Sequence, residues 1–502
     1  MFCSVSSLRP FLSPIPFHSI PWILDFLPAM AARRCASDLA ANIVFFLLFS
    51  FVPTQSAAIF SPLDDHLIAC GATSAAALPD GRSFLTDSSL PTTILRSHGR
   101  RISVSNPSSD ADPLHRTARV FTCPSSYEFD IKSKGVHLIR LHFYPFQTPE
   151  FNLSSARFHV LSSGITLLSD FFAPRPLLKE YFINLKEEKL VISFYPADRS
   201  SFSFVNAIEV VSAPNDLILY PARLVKADEV AKFDGLSEQA FETLYRVNVG
   251  GPKVTPFNDS LWRTWIPDGV FLKPSSASEI VSYSGRIKYQ EYGASREVAP
   301  DHVYNTARVM NGAVLSGSNY SMTWEFPVTS GYKYLIRMHF CDIASLALNQ
   351  LYFNVYINGY MAYEDFDLSD STGFLASPHY VDFVLDVDIT ELLSISIRPS
   401  NQSSPLWIRG LLNGLEIMKM NNTMGNLDDA SPVILFSANP LKRGLGAFVR
   451  SLTCGFAFVS LSAIAFMLFL RWRSEQRSHA AWSPLPVDVS DSTLKPGKLL
   501  NF

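Results

Sequence analysis

The sequence predicts an all-β protein, with two tandem jelly-roll-like β-sandwiches followed by one C-terminal membrane-spanning helix. Three observations predict it. Apolar residues make up 47% of the 502, with 39 Phe and 18 Tyr that favour strands and 33 Pro that punctuate loops. A set of motifs in the middle of the chain occurs twice in the same order, and the strongest apolar runs lie near the two ends. Charged residues are only 17%, and 42 Lys+Arg against 45 Asp+Glu leave a net charge of −3. That balance excludes a basic nucleic-acid binder, and the apolar content excludes a disordered chain. Six cysteines are too few for a disulfide-dense scaffold.

Residues 1–58 read as a signal peptide with an N-terminal extension. Arg33 and Arg34 precede the apolar run Ile43–Val52, and the small residues Ser56, Ala57 and Ala58 follow it. Translation from Met30 gives normal spacing and leaves 1–29 as an extension. The alternative is an uncleaved anchor, for which a ten-residue run is short.

Residues 59–212 and 242–420 read as one domain written twice. Thr117-Ala-Arg-Val120 recurs as Thr306-Ala-Arg-Val309, and Leu138-Ile-Arg-Leu-His-Phe143 recurs as Leu335-Ile-Arg-Met-His-Phe340. Arg157-Phe-His-Val160 has its counterpart in Tyr352-Phe-Asn-Val355, and Asn206-Ala-Ile-Glu-Val210 in Asn413-Gly-Leu-Glu-Ile417. Four ordered matches with slowly drifting offsets indicate tandem domains, not a short-period solenoid. In Tyr334–Phe340 apolar side chains alternate with Leu335, Arg337 and His339, the period of a half-buried strand. Leu190–Tyr195, Tyr352–Ile357, Val381–Leu385 and Leu392–Ile397 read likewise, separated by turn clusters such as Asn358-Gly359. Residues 213–241 read as an ordered connector, with a short helix predicted over Ser237–Tyr245.

Residues 421–446 form a stalk, 447–470 a transmembrane helix and 471–502 a short disordered tail. Ser451–Leu470 is uncharged over twenty residues, about 30 Å as a helix and the thickness of the hydrocarbon core. Flanking cations balance on its two sides, so the signal peptide, not the charge rule, sets the orientation and places 59–445 outside. Five sequons, at Asn152, Asn258, Asn319, Asn401 and Asn421, fall in that exterior and none in the tail.

Gly235-Leu-Ser-Glu-Gln-Ala-Phe-Glu-Thr-Leu-Tyr-Arg-Val-Asn-Val-Gly-Gly-Pro252 and Trp262-Arg-Thr-Trp265 resemble the second extracellular module of plant malectin-like receptor kinases, the FERONIA and THESEUS group. Leu67-Ile-Ala-Cys-Gly71 with Ala118-Arg-Val-Phe121 resembles the start of their first module. The resemblance runs from about residue 61 through the apolar span. It implies two malectin-like sandwiches on one membrane helix, sensing secreted peptides or cell-wall polysaccharide, with an intracellular Ser/Thr kinase in the family's full receptors. The kinase motifs are not found in these 502 residues; His115-Arg116-Thr117 and Phe233-Asp-Gly235 are near-misses on the exterior side. The expectation is therefore a non-enzymatic receptor-like protein, possessing no cofactor or metal, in the plasma membrane as a single-pass type I glycoprotein. Its expected partners are a secreted peptide or wall polysaccharide and a membrane-anchored co-receptor. The alternatives are a truncated record of a receptor Ser/Thr kinase and a carbohydrate-active wall enzyme.

The candidate ligand-contact aromatics are Trp262, Trp265, Tyr289 and Tyr292, candidates for an exposed patch, with core filling the favoured reading for the two Trp. The default binding site is a cleft between the two domains. Arg140/His142 and Arg337/His339 read as sheet-edge structural pairs, with a ligand-facing role as the alternative. Glu364, Asp365, Asp367 and Asp370 read as a solvated loop. Cys70 and Cys123 are the candidate disulfide, and Cys341 a buried free thiol.

Overall fold

The computed structural model describes residues 60–428, apart from 89–92, 98–100, 109–110, 215–216, 219–220, 275–277, 292, 312–319, 386–390 and 405–407, together with 467–468. The described residues from Phe60 to Asp428 belong to one compact unit. The chain is mostly β. Ten strands organise the central sheet and the elements that matter below. They are β1 (Asp65–Ala69), β2 (Ser83–Thr86), β3 (Gly135–Phe143), β4 (Ile165–Phe171), β5 (Leu177–Leu185), β6 (Ala207–Ser212), β7 (Phe241–Asn248), β8 (Tyr334–Cys341), β9 (Pro378–Leu385) and β10 (Gly414–Met420).

Nine of them form one sheet in the order β9-β8-β10-β7-β5-β3-β6-β1-β2, so it runs through both halves of the chain. The crossing is the antiparallel pair β5–β7, with Tyr181 opposite Glu242 and Phe182 opposite Phe241. In each half a second sheet packs over this one. In the first half it is five-stranded, from edge strand β4 to Thr93–Ser97; in the second it is the four strands Met322–Pro327, Leu392–Pro399, Tyr352–Ile357 and Tyr360–Asp367. Separate apolar clusters fill the two spaces, one around Phe121, Phe143, Phe158 and Phe194, the other around Trp324, Phe326, Phe340 and Phe353. A third cluster, with Phe182, Phe241 and Trp265, lies between the halves.

The repeated motifs have repeated jobs. Thr117–Phe121 and Thr306–Asn311 are each the middle strand of a small three-stranded sheet. Gly71 and Gly250 turn with φ of +74° and +72° directly against Ala118 and Ala307. Asp87 accepts from the Gly71 N–H, the Arg119 guanidinium and the Tyr127 hydroxyl. Asp268 accepts from the Gly250 N–H, the Arg308 guanidinium and the Trp324 indole. A Cβ on Gly250 would sit 2.4 Å from the Ala307 carbonyl oxygen. Because both φ and the backbone contact forbid it, Gly250→Ala is expected to destabilise by about 3 kcal/mol or more. Urea unfolding of the variant, with Gly359→Ala as a comparison, measures this; Gly359 also has positive φ but no neighbour within 4 Å.

Several expectations need correction. Ser237–Tyr245 is not helical: a 3₁₀ turn at Leu236–Glu238 leads into β7, because pairing with β5 and β10 captures the Phe241–Asn248 segment. The 213–241 stretch also supplies strands Ala222–Val225 and Val230–Phe233 to the end of the central sheet. Tyr334–Cys341 is buried along its whole length, not half-buried. Cys70 and Cys123 are both free, Cys70 sealed in the core at the end of β1 and Cys123 half-buried after the Thr117–Phe121 strand. Cys341 is a buried free thiol. The expected membrane span, signal peptide and tail lie outside the described residues, except for Met467 and Leu468, which are helical. Among the described residues no helix is long and apolar enough to cross a membrane.

Candidate functional site: a cleft over a buried ion ladder

One face of the central sheet carries charges of alternating sign, one strand after another. From β6 to β9 these are Glu209, Arg140, Glu180, Arg246, Glu416, Arg337 and Asp382. Arg140 stands opposite both Glu209 and Glu180, and Arg337 opposite both Glu416 and Asp382. Arg140 donates Nε to Glu180 (2.8 Å), Nη1 to Glu209 (2.9 Å) and Nη2 to the Leu261 carbonyl (2.9 Å). Across the junction of the halves, Arg246 Nη2 is 2.7 Å from Glu180 and its Nε donates to Glu416 at 2.7 Å. Arg337 holds Asp382 through two bonds of 2.8 Å. The other face at the same junction has Glu242 between Lys179 (2.5 Å) and Lys419 (2.7 Å). Burial alone would raise the Glu180 carboxyl, but the guanidiniums of Arg246 and Arg140 outweigh it and hold it at about 2. Glu209 and Glu416 are held below the usual carboxylate range in the same way.

The Arg-x-His repeats therefore sit on central strands, β3 and β8, and not at sheet edges. Carboxylates on neighbouring strands are their main partners, and the Leu261 carbonyl is the one loop group on Arg140. His142 Nε2 lies 2.8 Å from Glu209 and His339 Nε2 lies 3.2 Å from Glu416. The two copies then diverge. His339 is sealed beneath Trp265, whose ring meets it edge-on at 5.3 Å, and Tyr304 Oη lies 3.2 Å from its other nitrogen. Burial accordingly pushes His339 below the ordinary histidine value. His142 is only half-buried and opens on a cavity of about 610 Å³.

That cavity lies between the halves. Arg82, His115, Arg140, His142, Glu180 and Glu209 line it from the first half, and Thr243, Tyr245, Arg246, Lys253, Trp262 and Thr264 from the second. Glu209, Arg140, Glu180 and Arg246 of the ladder lie in its floor, and apolar groups form much of its rim. The Trp262 loop is built around Asp259, which accepts from the Leu261 N–H (2.9 Å), the Arg263 guanidinium (2.9 Å) and the Trp265 indole (2.9 Å). Trp262 has φ of +55°, a strained conformation for a bulky residue. The strain is held by that Asp259-centred loop and turns the indole across to the first half, where Arg82 lies 5.5 Å over its ring. Among the described residues Lys253 has no ion pair.

Of the three candidate aromatics among the described residues, only Trp262 faces the cleft. Trp265 is fully buried, so it is core and not part of an exposed patch. Tyr289 is half-buried, donates its hydroxyl to Asp301 (2.6 Å) and stacks under Arg296. Tyr292 lies outside the described residues. The Glu364–Asp370 acids are scattered: Asp367 caps the short helix Leu368–Thr372, Asp365 accepts from Ser400, and Glu364 and Asp370 are exposed. Asn152, Asn258 and Asn401 are exposed, Asn421 is half-buried, and Asn319 lies outside the described residues. Sequence reading missed Asp259, hidden inside the Asn258 sequon, and the ladder carboxylates Glu180, Glu209 and Glu416. The Glu in both Asn-x-x-Glu repeats was the available signal for two of them.

Fold and cleft together define a class: a mostly-β module whose two repeated halves share one sheet and enclose a recess between them. The chain belongs to the malectin-like family; the malectin-like domain matches residues 68–420. It is 41% identical over 455 residues to the probable receptor-like protein kinase At5g24010 of Arabidopsis thaliana, covering 88% of this chain and 54% of that protein. The ANXUR1 extracellular domain from Arabidopsis thaliana superposes with a TM-score of 0.65 at 31% identity, covering 74% of this chain and all of that one. A chain from the crystal structure of the plant peptide RALF23 in complex with FER and LLG2 gives 0.63 at 29% identity, covering 74% and 99%. The chain spans about half the length of the curated relatives it matches.

Proposed function

We propose that this chain is the ligand-recognising part of a plasma-membrane receptor and binds a secreted peptide in the cleft between its halves. In this reading 59–212 and 242–420 are two malectin-like sandwich modules joined by 213–241. A signal peptide exports them, the sequon asparagines carry glycans, and the 447–470 helix anchors them as a single-pass type I protein. A membrane-anchored co-receptor is the expected second partner, in line with the FER structure that contains both RALF23 and LLG2. The observation that carries the proposal is the 610 Å³ recess bounded by both halves. The ion ladder gives it a rigid floor, and a rigid recess loses little on ordering its ligand. A wall carbohydrate is the second reading, favoured by the strained Trp262, because an indole face suits a sugar ring.

Binding of secreted peptides and of wall oligosaccharides to the purified full chain tests this. Trp262→Ala is expected to weaken binding about tenfold or more, the scale of a contact worth about 1.4 kcal/mol. Trp265→Ala instead lowers the melting temperature, as removal of a core Trp does. No binding to either class by the wild-type chain, or affinity unchanged in Trp262→Ala, counts against the cleft.

A further inference from the structure

The second half does not end on itself. After β10, Asn421 donates its N–H to the Ala240 carbonyl (3.1 Å) and accepts the Ala240 N–H at Oδ1 (2.8 Å). The chain then turns tightly. Asn422 Oδ1 accepts from the N–H of Met424 and Asn426, each at 3.0 Å, and Gly425 takes φ of +80°. Asn426–Asp428 next dock on β4, the edge strand of the first half's outer sheet and some 260 residues earlier in the chain. The Thr166 N–H donates to Asn426 Oδ1 (2.9 Å), and the Thr166 carbonyl accepts from Leu427 (3.0 Å) and Asp428 (3.3 Å). The Ser169 N–H donates to Asp428 Oδ2 at 3.0 Å. Leu427 is fully buried as a member of the first half's core cluster.

We propose that Asn421–Asp428 is a releasable clasp that ties the exit of the chain to the first half. Its docking on the first half runs through Thr166, Ser169 and the buried Leu427 side chain. β4 departs from regular register between Thr166 and Leu168 and again before Phe171, so no longer ladder can extend the contact. The turn at Asn422–Asn426 keeps its own hydrogen bonds when the clasp lifts. The β5–β7 pair and the Glu180–Arg246 ion pair hold the halves together independently of it. Lifting the clasp frees Asn426–Asp428 from β4, a gain in reach of about 10 Å at about 3.3 Å per residue. It also bares the Thr166 backbone groups on the sheet edge. In the receptor reading that length lies between the cleft and the membrane anchor, so the clasp sets how far the cleft stands from the membrane; the clasp itself does not depend on that reading.

Hydrogen exchange on the full chain tests it. The amides of Thr166, Ser169, Leu427 and Asp428 are expected to exchange together, at least tenfold faster than those of β3 and β8, which marks local opening. Leu427→Ala raises this opening a further tenfold or more and leaves β3 and β8 unchanged. Asn426→Ala, which removes only the acceptor for Thr166, raises it several-fold. Exchange of the four amides in step with β3 and β8 in the wild-type chain overturns the clasp. So does a Leu427→Ala variant that speeds exchange equally everywhere.

Discussion

Arg246→Met is expected to cost about 3–5 kcal/mol of folding stability, the scale for breaking a buried ion pair by removing one partner. Arg246 is buried where the halves join and lies between Glu180 of the first half and Glu416 of the second. Methionine fills much of the same volume, so the loss is electrostatic: two carboxylates remain in the interior without their shared cation. Lysine does not substitute, because one ammonium cannot reach two carboxylates as a planar guanidinium does. Arg246→Lys should therefore recover less than half of the loss. Glu180→Gln in the Arg246→Met background should recover part of it, since one orphaned charge is gone. Urea unfolding of the four proteins reads these differences, with a fall in melting temperature of roughly 5 °C for Arg246→Met. A loss below about 1 kcal/mol would place the ladder among ordinary surface pairs.

Acidification is expected to destabilise the protein in two steps. Burial pushes His379 from 6.5 down to about 4. It stays neutral in the folded state while the unfolded chain takes up a proton below 6.5. Its contribution is thus fully present above about pH 6.5 and lost as pH falls to about 4. The gap corresponds to about 3 kcal/mol at about 1.4 kcal/mol per pH unit. His339, also lowered by burial, adds in the same direction. The second step belongs to the ladder. Glu180 is held at about 2 against 4.5 in the unfolded chain, so its contribution is present above 4.5 and lost as pH falls towards 2. Urea midpoints from pH 7.5 to 3 should fall throughout. His379→Gln should flatten the curve between 6.5 and 4 and leave its slope below 4 unchanged. A wild-type curve that is level from 7 to 4 would contradict the first step.

Much of the fold was legible because its signals are local. Tyr352–Ile357 was read with its observed bounds, and Lys189–Pro196 and Leu392–Pro399 within two residues, since a period of two and turn residues need only near neighbours. The Thr-Ala-Arg-Val repeat marked homologous positions because both copies pack against a glycine turn. Tyr334–Cys341 broke the pattern: its Arg337 and His339 look solvent-facing in sequence but are buried, because Asp382 neutralises Arg337 and Glu416 takes up the polar His339 ring, both from strands more than 40 residues away. The helix expected at Ser237–Tyr245 failed for the same kind of reason, as pairing with β5 overrode local preference.

What the sequence by itself determined is the β class, the repeated motifs and the family, each carried by residue types at short spacing. Only the tertiary structure decided that the two copies share one sheet, and that Arg140 and His142 line an open cleft while Arg337 is covered by Tyr380 and His339 is closed off under Trp265 and Tyr304. The copies are alike as strings. Which of them stays open depends on the loop that lands on it, and that follows from how the halves pack.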